Sequence, residues 1–160
     1  ATKAHFGFGM PIVFYNRSPV DPDVVKHFNA KAAASIEEVL QTSDFVALHC
    51  PGSPENRHLI NAERLKLMKP SAILINTARG DVVDSSALIE ALKQGTIRAA
   101  GLDVYENEPH LDPGFLALDN VVLLPHLGSA TLETREAMGM KVIENVEAWL
   151  KGQTPPNKIV

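Results

Sequence analysis

Short apolar runs alternate with longer polar segments along the chain, and this alternation predicts its secondary structure. Runs of about four to eight apolar residues, bounded by turn-forming residues, are typical of strands that are buried on both faces. Such runs lie at residues 12–15, 45–48, 72–75, 99–104 and 121–124, with a possible short edge strand at 31–34. Strands that alternate with helices predict an α/β fold with a Rossmann-like, doubly wound and mainly parallel sheet.

The predicted helices begin at residues that are suited to cap them. Ser35 and Glu38 form a capping box, in which each side chain accepts a hydrogen bond from the other residue's amide, and this helix continues through Leu40. Asn61 and Asp84 are the predicted caps of two further helices. The predicted helical ranges are about 1–8, 21–28, 35–40, 62–68, 85–94 and 132–151.

Two glycine features bear on how the chain folds and binds. Gly7 and Gly9 form a G-x-G, but it follows a helix-like segment and precedes a strand, whereas a phosphate-binding loop requires the reverse order. We therefore do not assign it to phosphate binding. Gly139 lies inside the last helix, where glycine costs about 1 kcal/mol relative to alanine. Its presence suggests close packing against another helix or a second subunit.

Polar side chains follow the predicted strands at the points where the strands end. In an open α/β sheet, ligands bind beyond the carboxyl ends of the strands. We therefore expect one crevice to be surrounded by Asn16, His49, Thr77, Arg79, Asp103, Glu108 and His126.

Two of these strand ends carry a cation that is suited to an anionic ligand. Arg79 presents a planar, permanently charged fork that matches a carboxylate or a phosphate, although a surface ion pair is the alternative. Asn16, Arg17 and Ser18 follow the run at 12–15, where NAD-binding sheets usually carry an acid. A cation and a hydroxyl suit the additional phosphate of NADP. The alternative here is a polar turn before Pro19.

His126 is the histidine that is best placed for acid–base chemistry. It lies between a strand end and a helix start and is followed closely by Gly128, where a ligand can approach. A neighbouring carboxylate favours the protonated imidazole, and such a pair can exchange a proton with a developing alkoxide. A purely structural histidine is the alternative.

The composition narrows the possible classes of function. A chain of 160 residues suffices for one domain with a core, and its net charge of −4 argues against a general nucleic-acid-binding protein. No apolar run approaches the roughly 18 residues of a membrane span. Cys50 is the single cysteine, so no internal disulfide can form and a cytoplasmic location is expected. His49 and Cys50 are too close in sequence to suggest a metal pair, and no metal is expected.

Three motifs together resemble one family of dehydrogenases. They are N-T-A-R-G at residues 76–80, G-L-D-V-Y-E-N-E-P at 101–109 and P-H-L-G-S-A-T at 125–131, and F-G-F-G-M at 6–10 and P-N at 156–157 also match. The chain is similar over nearly its whole length to the D-isomer-specific 2-hydroxyacid dehydrogenases. Among them it most resembles the glyoxylate/hydroxypyruvate reductases.

The resemblance implies a function and a set of site residues. It implies hydride transfer between NAD(P)H and a small 2-keto acid, giving a D-2-hydroxy acid, by a homodimer that uses NADP by preference or NAD. Arg79 would orient the substrate carboxylate, His126 would be the acid/base, and Glu108 would favour the protonated form of His126. The implied cofactor-binding residues are Asn16, Arg17, Ser18, Cys50, Pro51, Asn56, Thr77, Ala78, Arg79, Asp103, His126, Gly128 and Ser129.

The chain also departs from the family pattern. In the family, the dinucleotide domain opens with a strand and a Gly-rich phosphate loop, both of which this sequence lacks. Residues 1–160 are therefore expected to be an incomplete nucleotide-binding domain, without the substrate domain and with a gap in the sheet between the runs at 12–15 and 45–48. Two alternatives to an enzyme remain open: a dinucleotide-binding scaffold, similar to the C-terminal-binding co-repressors, or an inactive fragment.

Overall fold

The computed structural model describes residues 1–159 of the chain. They divide into two compact units, of which the first is Ala1–Leu123 and the second begins at Leu124. All strands and most of the helices belong to the first unit. The second contains one long helix and the loops on either side of it.

The six strands of the first unit form two parallel sheets. Strand β1 (Val13–Phe14) pairs with β2 (Lys31–Ala32) in a two-stranded sheet. The larger sheet has the order β3-β4-β5-β6, with each strand parallel to its neighbour. These strands are β3 (Phe45–Leu48), β4 (Ile73–Asn76), β5 (Ala99–Leu102) and β6 (Val121–Leu123). The predicted α/β fold with parallel strands is confirmed.

The helices of the first unit are short, and they lie between the strands as predicted. They are α1 (Pro22–His27), α2 (Ile36–Thr42), α3 (Ala62–Leu65) and α4 (Ser85–Lys93). A π-helical turn at Lys3–Gly7 occupies the predicted first helix, and 3₁₀ turns lie at Pro54–Asn56, Gly80–Val82 and Pro113–Ala117. Gly9, at φ +63°, follows the π-helical turn and precedes β1, which is the order expected from the sequence.

Two details of these helices differ from the prediction: the end of α3 and the Glu38 half of the capping box. Helix α3 ends at Leu65 rather than Met68, because the amides of Leu67 and Met68 donate to carbonyls three residues back, which tightens the last turn. In the capping box, Ser35 Oγ accepts from the Glu38 amide at 3.2 Å as predicted.

The reciprocal half of the capping box does not form. The Glu38 carboxylate accepts from the Ala34 amide at 2.8 Å instead of the Ser35 amide. Lys31 Nζ, which precedes the helix, donates to the same carboxylate at 3.0 Å. These two contacts, the backbone hydrogen bond first, lower the pKa of Glu38.

A cleft separates the two sheets at the place where the sequence predicts a gap. Its volume is about 850 Å³, and its walls include apolar side chains from both sides, among them Ile12 and Phe14 near β1 and Val46 and Leu48 on β3. Within residues 1–159, β1 pairs only with β2 and β3 pairs only with β4. The predicted gap is therefore present.

The core of the first unit lies around the four-stranded sheet. Every buried apolar side chain among residues 1–159 comes from the stretch between Leu40 and Phe115. Leu74 at the centre of β4 and Leu88 of α4 are both fully buried. Burying one leucine side chain contributes roughly 1.5–3 kcal/mol to the free energy of folding. The packed core therefore holds the carboxyl ends of β3, β4 and β5 in place.

The second unit consists of residues 124–131, helix α5 (Leu132–Leu150) and the residues after it. Thr131 caps α5, since its Oγ1 accepts from the Thr134 amide at 3.2 Å. Asn145 and Asn157 exchange two hydrogen bonds of 3.0 and 3.1 Å, which tie the closing P-N motif to the helix. A side chain at Gly139 would meet no described atom within 4 Å, so its partner remains a prediction. No helix in residues 1–159 combines the length and the apolarity needed to cross a membrane.

Candidate active site

A buried asparagine at the end of β4 holds the arginine loop, which we define as residues 77–79. Asn76 is only 1% exposed. Its Nδ2 donates to the Arg79 carbonyl at 2.9 Å, and its Oδ1 accepts from the Ala78 amide at 3.1 Å. Two of the three residues of the loop, Ala78 and Arg79, are therefore bound to one side chain of the core. The sequence prediction did not single out Asn76, although a polar residue directly after an apolar run was a usable signal.

Gly52 makes room for the side chain of Arg79. A Cβ atom at Gly52 would lie 2.9 Å from Arg79 Cγ and 3.2 Å from Arg79 Cβ, closer than such atoms pack. Loop 50–56 is thus in contact with the arginine loop. The sequence prediction assigns both loops to one site. The guanidinium donates to the Ala78 carbonyl at 2.6 Å, which is a backbone oxygen rather than a carboxylate.

The arginine loop is followed by a glycine that touches the next loop backbone to backbone. A Cβ at Gly80 would lie 1.9 Å from Tyr105 C and 2.4 Å from Glu106 N, so only glycine fits. Tyr105 and Glu106 belong to the glutamate loop, which we define as residues 103–108. The structure therefore brings together the loops that carry Arg79 and Glu108.

The glutamate loop is bound to the end of the sheet at its first residue and folds on itself. Asp103 is 8% exposed, and its amide donates to the Asn76 carbonyl at 3.0 Å. The Tyr105 hydroxyl donates to the Leu102 carbonyl at 3.2 Å, and the Tyr105 amide donates to Glu108 Oε1 at 2.8 Å. The Glu108 carboxylate is therefore held close to its own loop at the surface.

Most of the predicted adenosine-side residues line the cleft between the sheets. They are Asn16, Arg17, Cys50, Pro51 and Asn56, together with His49. Asn56 is buried and donates to the Pro51 carbonyl at 2.8 Å, which fixes the shape of loop 50–56. Burial raises the pKa of the Cys50 thiol, so this cysteine acts as an apolar wall of the cleft.

Ser18 is not among the residues that line the cleft. Asn16 Nδ2 donates to the Ser18 carbonyl at 2.9 Å, so the two residues form a turn. Arg17 lies near Glu55, a lining residue that the sequence prediction missed. Neighbouring polar groups, first the Ser53 side chain and then the backbone of Glu55, lower the pKa of Glu55, and the positive charge of Arg17 lowers it further.

The lining of the cleft combines a few polar groups with apolar walls. Asn16 and Arg17 contribute an amide and a guanidinium, Glu55 contributes a carboxylate, and most of the other lining residues are apolar. Thr77 and Ala78 follow β4 and Asp103 follows β5, and their contact with the nicotinamide remains a prediction.

His126, Gly128 and Ser129 belong to the second unit. His126 is exposed and has a left-handed backbone, with φ +55°, a conformation in which histidine is enriched among non-glycine residues. A turn follows it, closed by the hydrogen bond from the Ala130 amide to the Leu127 carbonyl at 3.0 Å. The pairing of His126 with Glu108 and its approach to a ligand remain predictions.

A parallel α/β sheet with polar and charged loops at the carboxyl ends of its strands is typical of a nucleotide-binding domain. The chain belongs to the family of D-isomer specific 2-hydroxyacid dehydrogenases, NAD binding domain, whose sequence model matches residues 1–128.

Reductases of this family are among the similar proteins of known name. The chain is 50% identical over 153 residues to a glyoxylate reductase of Thermococcus litoralis, a match that covers 96% of this chain and 46% of that protein. It is 49% identical over 158 residues to glyoxylate/hydroxypyruvate reductase B of Escherichia fergusonii, with 98% and 48% covered.

Comparison with solved structures also finds a similar reductase. The NADPH-dependent glyoxylate/hydroxypyruvate reductase of Sinorhizobium meliloti, in complex with NADP and malonate, superposes with a TM-score of 0.83 at 35% identity. The superposition covers 93% of this chain and 45% of that one. The chain therefore spans about half the length of the relatives it matches.

Proposed function

We propose that the protein reduces small 2-keto acids such as glyoxylate or hydroxypyruvate to D-2-hydroxy acids, with NADPH or NADH as the hydride donor. The observation that carries this proposal is the backbone contact between Gly80 and Tyr105, which joins the arginine loop to the glutamate loop at neighbouring strand ends. Relatives that are half identical to this chain are named as glyoxylate and hydroxypyruvate reductases, which supports the choice of substrate.

In this proposal, two side chains act on the substrate, and a third acts through one of them. The guanidinium of Arg79 binds the substrate carboxylate through two parallel hydrogen bonds and so fixes the adjacent carbonyl. His126 donates a proton to the carbonyl oxygen as it becomes an alkoxide and recovers it in the reverse reaction. Glu108 favours the protonated form of His126. The bound nicotinamide supplies the hydride.

The remaining predicted residues hold the cofactor. Asn16, Arg17 and Ser18 take the adenosine end, and Arg17 favours NADP because its charge attracts the additional phosphate. Loop 50–56, through Cys50, Pro51 and Asn56, covers the adenine side. The nicotinamide side is formed by Thr77, Ala78, Asp103, Gly128 and Ser129. We further infer a homodimer in the cytoplasm, for which the family resemblance is the support.

Replacing His126 by alanine in the whole protein tests the proposal most directly. We expect kcat for glyoxylate to fall by at least about 100-fold, because a positioned acid/base contributes roughly 10²–10⁴-fold. The dissociation constant for NADPH should stay near that of the unmodified protein, and His27→Ala, a change on α1, is the matched control.

Three results would separate the alternatives. Retained turnover in His126→Ala would contradict the acid/base role. A protein that binds the dinucleotide but does not reduce any small 2-keto acid would indicate a scaffold. Failure of both binding and turnover in the unmodified protein would contradict the proposal as a whole.

A further inference from the structure

A charged cluster outside the proposed catalytic residues binds the glutamate loop from the side. Glu106 Oε1 accepts from His58 Nε2 at 2.8 Å and from Arg57 Nη2 at 3.0 Å. The side chain of Glu106 is only 15% exposed although it carries a carboxylate. The two donors come from a segment 48 residues earlier in the chain, so the cluster joins distant parts of the sequence.

The surroundings of Glu106 keep its carboxylate ionised. Partial burial alone would raise the pKa of Glu106. The hydrogen bonds from His58 and from the Ser85 amide, together with the nearby guanidinium of Arg57, outweigh burial and lower the pKa of Glu106. The contact is therefore a charge-assisted one, which is stronger than a neutral hydrogen bond.

His58 is held in place by the segment that follows the arginine loop. Its amide donates to the Asp81 carbonyl at 2.8 Å, and the Ile60 amide donates to the Val82 carbonyl at 3.0 Å. Its backbone is left-handed, with φ +50°. Its Nδ1 lies 3.8 Å from the carboxylate of Asp84, the cap of α4. His58 thus contacts the chain just after Arg79 and also the loop that carries Glu108.

We propose that His58 and Arg57 are positioning residues that act through Glu106. Glu106 is adjacent to Tyr105, whose amide binds Glu108, so fixing Glu106 fixes the direction in which the glutamate loop leaves β5. The same His58 is bonded to the segment after Gly80. Together, His58 and Arg57 hold the loops that carry Arg79 and Glu108 in a fixed position relative to each other. The effect on catalysis rests on the proposed function, whereas the effect on the loop does not.

The experiment compares His58→Leu with His58→Gln, which retains an N–H donor, in the whole protein. One readout is hydrogen exchange of the Tyr105 amide, and the other is the kinetics of glyoxylate reduction at saturating NADPH. We expect exchange about tenfold faster in His58→Leu, and kcat lower by about 10- to 100-fold, because small misplacements of catalytic groups have effects of that size. NADPH affinity should not change, and His58→Gln should recover most of kcat.

The control is Lys69→Gln, which removes an ion pair of similar length, Lys69 to Asp44 at 3.0 Å, next to the amino ends of β3 and β4. It should leave exchange and kcat unchanged. Glu106→Gln, which removes the charge at constant shape, should reproduce the effect of His58→Leu and decides the matter if that variant does not fold.

Unchanged Tyr105 exchange in both His58→Leu and Glu106→Gln overturns the proposal, and so does faster exchange with kcat at the level of an active unmodified protein. If the unmodified protein reduces no 2-keto acid, the proposed function fails, and the exchange rates alone then decide whether His58 fixes the loop.

Discussion

Residues 1–39 and residues 40–123 use the same alternation of strands and helices, but they differ in how well they are packed. No residue before Leu40 is buried, and both residues of β2 are exposed. After Leu40, strands β4 and β5 each have a neighbour on both sides, and their inward side chains are buried. A two-stranded sheet has little hydrophobic surface to bury, whereas a four-stranded one that is covered by helices forms a core.

The difference corresponds to the two tasks that the site has to perform. The loops that carry Arg79 and Glu108 follow the well-packed strands, where Asn76 and Gly80 fix their backbones. Arg17 follows β1, on the loosely packed side. Orienting a reacting group requires accuracy of a fraction of an ångström, whereas attraction between charges tolerates movement. The two loops of the proposed reaction therefore leave strands β4 and β5, which have a neighbour on both sides, whereas β1 borders the gap in the sheet.

The largest expected difference comes from truncating one apolar side chain on each side of this boundary. Leu74 is fully buried in β4, whereas Val24 of α1 is 46% exposed. Leu74→Ala should lower the free energy of unfolding by about 3–5 kcal/mol, because a buried cavity remains. Val24→Ala should lower it by less than about 1 kcal/mol. Urea unfolding of both variants measures this, and similar losses would show that residues 1–39 contribute a core of their own.

The sequence allowed the strands of the packed region to be predicted, since their apolar runs are continuous. The run at 12–15 shortens to β1 because a strand can extend only as far as its partner, and β2 has two residues. Caps such as Asp84 were predictable because the contact spans three residues, to the Ala87 amide.

Contacts between distant segments could not be predicted in this way. The hydrogen bond of His58 to Glu106 spans 48 residues, and no local pattern indicates it. The space that Gly52 leaves for Arg79 depends equally on how two loops meet. Of the candidate site, the sequence therefore indicated the residue types at the strand ends but not the side chains that hold them in place.

A smaller loss of unfolding free energy is expected from a variant that forces the arginine loop and the glutamate loop apart. Gly80→Ala places a methyl group 1.9 Å from the carbonyl carbon of Tyr105, so the loops must separate. We expect a loss of about 3 kcal/mol of unfolding free energy, at the upper end of typical overpacking costs. Gly101→Ala is the control, since a Cβ there meets nothing within 4 Å. Equal stability of the two variants would contradict the contact between the arginine and glutamate loops.

The smallest effect in free energy, and the sharpest test of the comparison, concerns Arg17. Because it lies outside the packed core, Arg17→Asp should leave the unfolding free energy within about 0.5 kcal/mol of the unmodified protein. The ratio of NADPH to NADH efficiency (kcat/KM) should nevertheless fall by about tenfold or more, since a hydrogen bond to a charged group is worth roughly 1.5–3 kcal/mol. Arg98→Asp, which changes a cation just before β5, should not alter that ratio. An unchanged ratio in Arg17→Asp would mean that the phosphate is bound elsewhere, whereas a large loss of stability would mean that the loosely packed region is held more firmly than its exposure indicates.

Glu55→Gln separates the two effects, because it removes the carboxylate next to Arg17 and should raise the preference for NADPH if the guanidinium faces the phosphate.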